Sequence, residues 1–345
     1  MEKKRYIIEL GHPKHYHMFK GFIRHYREQG REVTVLARNK DVLLKLLEAD
    51  DCRYTKFGPY KDGLLNKLLI TPLLLVNYLF ILLKTRPHVV FSKASPYASF
   101  FSKLFRFNHV IFPDSDGFKS NDILMKYARV IVTPSNYNND YGEKHKKVDG
   151  FFENLYLHPN RFSPDPDVPR RYQINPDERY TVIRFVGWGA HHDGSDSGFT
   201  HEEKLNLVKT LSSFGPVYIT SEKPLHADLE PYRLKINPED IHHVLYHASL
   251  YIGDSQTMAT EASLLGVPSI RTNSFVGDQD MSNFKLLEHE YGLLFNFSDT
   301  KKAIAKAEEL ISSDHYKIDW QEKRQNYYNK DREFFQQVLD IVEET

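Results

Sequence analysis

The chain has 345 residues, 41% hydrophobic and 27% charged, which is typical of a globular protein rather than a disordered or fibrous one. Its net charge of zero argues against nucleic-acid binding through bulk charge, and its single cysteine, Cys52, excludes an intramolecular disulfide and a cysteine-ligated metal cluster. Yet residues 1–160 carry 26 Lys and Arg against 16 Asp and Glu, whereas the remainder carries 20 against 30. Halves of charge +10 and −10 indicate two domains with different tasks.

The first half alternates short strands with longer helices. The strand patterns cover residues 6–10, 32–37, 88–92, 108–112 and 129–133. The helical patterns cover residues 15–29, 40–49, 95–105 and 120–127. This alternation predicts an α/β domain with a parallel sheet and helices on both faces. The apolar run before Gly11 is too short for the core of a signal peptide, so we expect a cytoplasmic protein.

One further helix, at 64–83, is nearly all apolar. Its uninterrupted apolar stretches are too short to cross a bilayer. Two interpretations stay open, a buried crossover helix and a membrane-touching surface.

The second half repeats the alternation after a segment, 149–176, that contains five prolines. Its predicted strands are 180–186, 217–220, 250–254, 268–271 and 293–295. Its predicted helices are 202–212, 238–248, 257–265, 282–289 and 300–312, followed by helical patterns from 318 to the end. A second α/β domain is therefore expected.

The most informative segment begins where the predicted strand 250–254 ends. A serine there caps a helix whose first N–H groups form a site for phosphate oxygens. The residues that would supply this site are Ser255, Gln256, Thr257 and Met258. Glu261 follows about one and a half turns later, where its carboxylate can accept hydrogen bonds from the two hydroxyls of a ribose. A plain capped helix is the alternative.

This pattern, Gly-Asp-Ser-x-Thr-Met-x-x-Glu-Ala-x-x-x-Gly-x-Pro over residues 253–268, resembles the donor-site helix of GT-B enzymes. The similar families are the UDP-N-acetylglucosamine 2-epimerases and the peptidoglycan N-acetylglucosaminyltransferases. Segments 11–20 and 150–159 also resemble an uncharacterised bacterial and archaeal family of that superfamily. The resemblance implies two Rossmann-like domains facing a cleft, with the nucleotide on the second and the acceptor on the first.

The resemblance also divides the chain. It implies an acceptor-side domain at 1–160, a linker at 161–176 and a nucleotide-sugar-binding domain at 177–314. The C-terminal helices at 315–345 are expected to return to the first domain.

Two loops of the second domain are further candidates for the nucleotide sugar. The first contains Gly187, Trp188, Gly189, Ala190 and His191, and in the family it borders the diphosphate. Its glycines let backbone approach a ligand closely, although an ordinary surface loop is the alternative. The second, at 278–283, resembles a turn that touches donor-sugar hydroxyls, with Gln279 as the contact, although its spacing differs. No metal-ligand spacing is present near His191, so we expect no metal site.

The first domain offers candidates for acid–base chemistry. His12, His15 and His17 follow the first strand, at the edge where open α/β sheets bind ligands, and an imidazole there can act as a general base. Asp114 follows the predicted strand 108–112 and is a second candidate, as a base or to orient a sugar. Surface histidines at a helix start and a turn-forming aspartate are the alternatives.

The sequence favours glycosyl transfer over epimerisation. Where the similar epimerases carry an acid after the fourth strand, this chain reads Ser92-Lys93-Ala94-Ser95, and its segment after Asp114 is shorter than theirs. We therefore predict a glycosyltransferase with a UDP-sugar donor, in surface glycan or polysaccharide synthesis, without a cofactor. A UDP-sugar 2-epimerase and a non-catalytic nucleotide-sugar-binding protein stay open.

The expected partners follow from the same observations. The basic first half and the apolar helix at 64–83 suggest docking on the inner face of an anionic membrane that carries a lipid-linked acceptor, with a glycan as the alternative acceptor. No helix-turn-helix or basic arm is apparent, so we expect no nucleic-acid partner.

Overall fold

A computed structural model describes residues 4–58, 64–114, 116, 122–187, 198–278, 280–313, 315–330 and 333–344, with the backbone alone for 64–68 and 316. The chain divides into two compact units. Unit 1 comprises Met1–Arg161 and Arg332–Thr345, and unit 2 comprises Phe162–Asp331.

Unit 1 contains a parallel sheet of seven described strands. They are β1 (Arg5–Leu10), β2 (Glu32–Ala37), β3 (Thr55–Lys56), β4 (Val89–Ser92), β5 (Asn108–Ile111), β6 (Val130–Pro134) and β7 (His145–Val148). Their order is β3-β2-β1-β4-β5-β6-β7, so the order reverses between β1 and β4. Ligands of open α/β sheets bind at the carboxyl ends of the strands beside such a reversal.

The described helices of unit 1 before residue 161 are six. They are α1 (Pro13–Glu28), α2 (Leu43–Ala49), α3 (Leu64–Thr85), α4 (Pro96–Phe105), α5 (Asp122–Met125) and α6 (Asn154–Leu157). Aromatic rings fill the space between α1 and the sheet. The ring centroids of Phe22 and Phe91 are 5.6 Å apart, and those of Phe19 and Phe112 are 5.0 Å apart.

Helix α3 has two unlike faces. Leu74, Tyr78 and Leu82 are buried against the sheet, four residues apart. The opposite side exposes a stripe that we call the α3 stripe, which consists of Leu69, Leu73, Val76, Phe80 and Leu83. Among the described residues, no helix has the length and apolar character needed to span a bilayer. The buried face agrees with the interpretation of α3 as a crossover helix, and the exposed α3 stripe leaves a membrane-touching surface as a prediction.

Unit 2 contains a second parallel sheet, with five described strands. They are β8 (Thr181–Phe185), β9 (Val217–Ser221), β10 (Leu250–Gly253), β11 (Ser269–Thr272) and β12 (Leu294–Phe297). The order is β12-β11-β10-β8-β9, which reverses between β10 and β8. Gly253 is required at this reversal, because a Cβ there would lie 2.5 Å from the carbonyl oxygen of Arg184 on β8.

The helices of unit 2 follow the predicted alternation. They are α7 (Asp167–Arg171), α8 (His201–Ser212), α9 (Ile241–His247), α10 (Gln256–Leu264), α11 (Ser282–His289), α12 (Thr300–Ser312) and α13 (Tyr316–Tyr328). Helix α13 packs within unit 2, where Trp320 Nε1 donates to the carbonyl oxygen of Leu293 at 3.0 Å.

The last helix, α14 (Phe334–Glu343), belongs to unit 1. The ring centroids of Phe335 and Phe22 are 4.5 Å apart, and a Cβ on Gly21 would lie 2.9 Å from Cε2 of Phe335. The close approach of α14 to α1 therefore depends on a glycine at position 21. Two parallel α/β sheets with a C-terminal helix returning to the first confirm the predicted fold class.

Candidate functional site

In unit 2, a buried aspartate joins the two strands that flank the reversal of the sheet. Asp254 follows β10 and is 1% exposed. Its Oδ1 accepts a hydrogen bond from the Val186 amide at 2.7 Å, and its own amide donates to the carbonyl oxygen of Arg184 at 3.2 Å. The exits of β8 and β10 are thereby fixed beside each other.

Helix α10 begins directly after this aspartate. Ser255 is its N-cap, and Ser255 Oγ accepts from the Met258 amide at 3.4 Å. The amides of Gln256 and Thr257 lie in the first turn, where helix geometry provides no intrahelical acceptor. With the helix dipole they give the start of α10 the character of an anion-binding site. The four residues that the sequence predicted for phosphate binding therefore lie in one turn.

Glu261 lies further along α10 and is buried, with 5% of its surface exposed. Its Oε1 lies 3.1 Å from Nε2 of His242, a buried residue of α9. The sequence identified Glu261 through its motif and missed His242. The histidine stands on another helix, and no spacing rule connects the two positions.

The other donor-side candidates are only partly described. The Gly187 amide donates to Glu222 Oε2 at 3.2 Å, and a Cβ on this glycine would lie 2.8 Å from Cε of Lys223. The rest of the predicted loop, Trp188, Gly189, Ala190 and His191, lies outside the described residues, and so does Gln279.

A structural ion pair occupies the neighbourhood of the predicted donor-sugar turn. Asp280 forms a buried ion pair with Arg271 of β11, and the Arg271 guanidinium stacks over the Phe284 ring at 3.5 Å. This carboxylate therefore holds the turn against the sheet.

In unit 1, the structure brings His12 and His15 together after β1. The ring centroids are 6.0 Å apart. Nδ1 of His15 accepts from the Gly11 amide at 3.1 Å, and Nδ1 of His12 accepts from the Lys14 amide at 3.2 Å as the N-cap of α1. Burial lowers the pKa of His15 to about 3 and also lowers that of His12. Both imidazoles are therefore neutral at pH 7 and carry their proton on Nε2, which suits them to donate hydrogen bonds.

His17 stands apart from these two histidines, on the part of α1 that faces α6. Its ring is buried and stacks on Tyr156 with a centroid distance of 5.3 Å. The spacing of two residues along a helix separates it from His15, since such positions point in different directions.

Asp114 lies near His15 and pairs with a lysine. Asp114 Oδ1 is 2.6 Å from Lys93 Nζ, at the exit of β4. Burial acts to raise the pKa of Asp114, but the charges of Lys93 and Lys14 outweigh it and hold that pKa below its ordinary value. The carboxylate is therefore ionised and weakly basic, and it is suited to orienting polar groups.

A cavity of about 500 Å³ opens at the reversal of the unit 1 sheet, between the exits of β1 and β4. Glu9 and Arg38 line it together with His15 and Lys93. Burial raises the pKa of Glu9, although hydrogen bonds from Tyr78 and Ser95 and the charge of Arg38 oppose the shift. The sequence analysis missed Glu9. The available signal was a single acid inside the apolar strand Tyr-Ile-Ile-Glu-Leu.

Among the described residues, one trio has the geometry of a metal-binding group. Ligand atoms of His201, His226 and Asp228 lie within 4.8 Å of one another on the surface of unit 2. All three side chains are exposed, and exposed groups of this kind are common without an ion. We assign the trio no part in the chemistry described below.

No protein-family model matches the sequence, and no curated protein sequence matches it. Solved structures are similar to it in fold. Spinosyn forosaminyltransferase SpnP covers 99% of both chains with a TM-score of 0.66 at 11% identity. UDP-GlcNAc 2-epimerase from Neisseria meningitidis bound to UDP-GlcNAc covers 99% of this chain and 100% of its own, with a TM-score of 0.64 at 12% identity. Anabaena Alr3699/HepE in complex with UDP and glucose has the same coverage, a TM-score of 0.63 and 15% identity. The chain therefore has the GT-B fold of glycosyltransferases and UDP-GlcNAc 2-epimerases.

Proposed function

We propose that the chain is a GT-B glycosyltransferase that uses a UDP-sugar donor. One observation carries the proposal, the start of α10 at the reversal of the unit 2 sheet, where a serine-capped turn is followed by the buried carboxylate of Glu261. The turn suits a diphosphate, and the carboxylate suits ribose hydroxyls. Solved structures of this fold include complexes with UDP and with UDP-GlcNAc, which supports a UDP-linked ligand.

The proposed chemistry is the attack of an acceptor hydroxyl on the anomeric carbon of the donor sugar. The bond between that carbon and the diphosphate oxygen breaks, and UDP leaves with the electron pair. The N–H groups and dipole of α10 stabilise the charge that develops on the departing diphosphate. The predicted unit 1 residues His12, His15, His17 and Asp114 stay candidates for the acceptor side, and the first two suit hydrogen-bond donation.

Thermal unfolding in the presence of UDP tests the donor assignment. We expect UDP at roughly 100 times its Kd to raise the melting temperature of unit 2 within the whole wild-type chain by about 5 °C or more. Glu261→Gln should remove most of this shift, whereas Glu290→Gln, an exposed residue of the same unit, should retain it. A wild-type protein indifferent to UDP and to UDP-sugars would contradict the proposal.

An epimerase is the second candidate, and one observation favours it. Epimerisation needs carboxylates on the first domain, and unit 1 places Glu9 on β1 and Asp114 after β5, the two strands that flank β4. An epimerase would convert UDP-GlcNAc without any acceptor, and proton NMR of the sugar would show the change. A protein that binds the donor and turns over nothing with any acceptor would instead be a nucleotide-sugar-binding protein.

We further propose that the acceptor is lipid-linked and that unit 1 docks on an anionic membrane. The α3 stripe exposes five large apolar side chains, and Phe100 and Leu104 of the adjacent α4 expose two more. Residues 63–113 contain six Lys and Arg and no Asp or Glu. An exposed apolar surface in a segment that is rich in cations and lacks acids matches the chemistry of an anionic bilayer surface. This part of the proposal concerns the acceptor alone and is tested separately.

A further inference from the structure

The cavity between the exits of β1 and β4 is large enough for a sugar-sized ligand. Its volume is about 500 Å³, within the range of small-molecule sites. It lies at the reversal of the unit 1 sheet, where doubly wound sheets bind their ligands. The described residues that line it all belong to unit 1, whereas the donor residues belong to unit 2.

Arg38 is the principal cation of this cavity. It follows β2, and its guanidinium lies 5.4 Å from the Phe57 ring centroid and 5.4 Å from that of Tyr97. Within the described part of the chain its side chain makes no hydrogen bond or ion pair. The two aromatic rings thus hold the planar Arg38 guanidinium in place and leave its N–H groups available. This guanidinium is preorganised to bind two oxygens of one anion.

Glu9 is a carboxylate that lines the same cavity. Tyr78 and Ser95 donate hydrogen bonds to its carboxylate, which fixes its orientation. Leu36, which also lines the cavity, belongs to the same apolar core cluster as Tyr78. A carboxylate anchored by two donors in this way still has acceptor capacity for a ligand hydroxyl.

A phosphate suits this cavity better than a carboxylate. Lys93 also lines the cavity, but its Nζ lies 2.6 Å from Asp114 Oδ1, which leaves Arg38 as the principal cation for a ligand. A phosphate group presents more oxygens than a carboxylate to the donors of the Arg38 guanidinium. The presence of Glu9 nearby disfavours a bare anion and favours one that brings a hydroxyl with it.

We propose that this cavity binds a hydroxyl-bearing phosphate ester, with the phosphate on Arg38 and a hydroxyl on Glu9. The assignment of this cavity as the acceptor site rests on the proposed glycosyl transfer. In that reaction the hydroxyl oxygen forms the new bond to the anomeric carbon. Its proton passes to the Glu9 carboxylate, and the UDP oxygen leaves with the electrons of the broken bond. The ester is either a soluble sugar phosphate or the phosphate-linked sugar of a lipid.

Calorimetric titration without any nucleotide tests the site. The probes are inorganic phosphate, glucose 1-phosphate, glucuronate and the octyl phosphodiester of glucose. We expect Arg38→Gln to weaken glucose 1-phosphate binding roughly 10- to 100-fold, and Arg38→Lys to restore it only in part, because lysine lacks the planar fork. Arg53→Gln, which removes an exposed arginine of unit 1 outside the cavity, should bind as wild type.

Glu9→Gln provides the second readout. Removing the negative charge should spare or improve binding of inorganic phosphate, but it should reduce the preference for glucose 1-phosphate over inorganic phosphate by about tenfold. Tighter binding of the octyl ester than of glucose 1-phosphate indicates a lipid source, and the reverse indicates a soluble one.

Three results would overturn the inference. They are equal binding by wild type and a folded Arg38→Gln protein, an unchanged preference in Glu9→Gln, and tighter binding of glucuronate than of glucose 1-phosphate. The UDP thermal shift of the whole chain reports on donor binding and separates the two proposals. A normal UDP shift with no Arg38-dependent binding removes the cavity assignment alone, whereas indifference to UDP removes the transferase proposal.

Discussion

His242 Nε2 lies 3.1 Å from Glu261 Oε1, and the two side chains are 6% and 7% exposed. The carboxylate proposed to bind ribose therefore has an imidazole partner supplied by a neighbouring helix. A buried charged or polar group that loses its partner is destabilised, so the two residues should be energetically coupled.

We expect His242→Phe to weaken UDP binding about tenfold, because Glu261 loses the group that orients it. The free energy of unfolding of unit 2 should also fall, by about 1–3 kcal/mol. Titration calorimetry with UDP and urea unfolding measure the two effects. His289→Asn, an exposed change in the same unit, serves as the control. Unchanged UDP affinity in a folded His242→Phe protein would show that the pair has no part in donor binding.

The ion pair between Lys93 and Asp114 predicts an asymmetric double-mutant cycle. Lys93→Met leaves the Asp114 carboxylate, only 11% exposed, without its nearest cation, and we expect a loss of about 3 kcal/mol in the free energy of unfolding of unit 1. Adding Asp114→Asn should recover most of this loss. Urea unfolding provides the measurement, with Lys126→Met as an exposed control. Similar losses in the single and double variants would argue against the pair.

Two buried histidines predict acid lability of unit 1. His109 is fully buried, with Nε2 2.8 Å from Ser92 Oγ, and burial lowers its pKa to about 3, as it does for His15. An unfolded imidazole has a pKa of about 6.5, so between pH 6.5 and 3 the unfolded chain binds protons that the folded chain refuses. Stability should fall as the pH drops through this window, by up to about 1.4 kcal/mol per pH unit for each histidine.

Unfolding free energies between pH 7 and 4.5 measure this slope, since the Asp114 carboxylate, whose pKa is lowered, changes its contribution little within that range. His109→Gln should reduce the pH dependence of the unfolding free energy by the contribution of one histidine, up to about 1.4 kcal/mol per pH unit. An identical slope in the variant would mean that His109 does not titrate on unfolding.

The α3 stripe predicts binding to anionic vesicles at low salt. We expect the double variant Leu73→Ser, Phe80→Ser to lose binding at least about tenfold, because each side chain contributes roughly 1.5–3 kcal/mol when buried in an apolar phase. Co-sedimentation provides the measurement, and added salt should weaken the wild-type interaction. Ile318→Ser removes an exposed apolar residue of unit 2 and should bind normally. Wild-type protein that stays in the supernatant would rule out the membrane surface.

The central strands were predictable because their residues are buried on both sides and therefore nearly all apolar. The two edges of the unit 1 sheet, β3 and β7, were not. Strand β7 has the sequence His-Lys-Lys-Val and β3 consists of Thr and Lys. Charged and polar residues such as these are common in strands at sheet edges. Hydrophobic periodicity carries no signal for such strands.

The two candidate sites differ in the same way. The proposed donor residues of α10 occupy one contiguous motif at 255–261, so the sequence and the resemblance that it carries were enough to propose them. The cavity depends on Glu9, Arg38 and Tyr78, which stand on three different elements of unit 1. Their proximity follows from the pairing of β1 with β2, which places Arg38 beside the end of β1, and from the packing of α3 on the sheet. Local patterns do not contain that information.

The hydrogen bond from the Val186 amide to the buried Asp254 also makes the β8 exit accessible to hydrogen-exchange measurements. The amide hydrogen of Val186 can exchange with solvent deuterium only when that contact opens. The exchange rate of this amide therefore reports how often the β8 exit opens in the absence of ligand. The same rate measured during a ligand titration would show whether a bound ligand reduces that opening or leaves it unchanged.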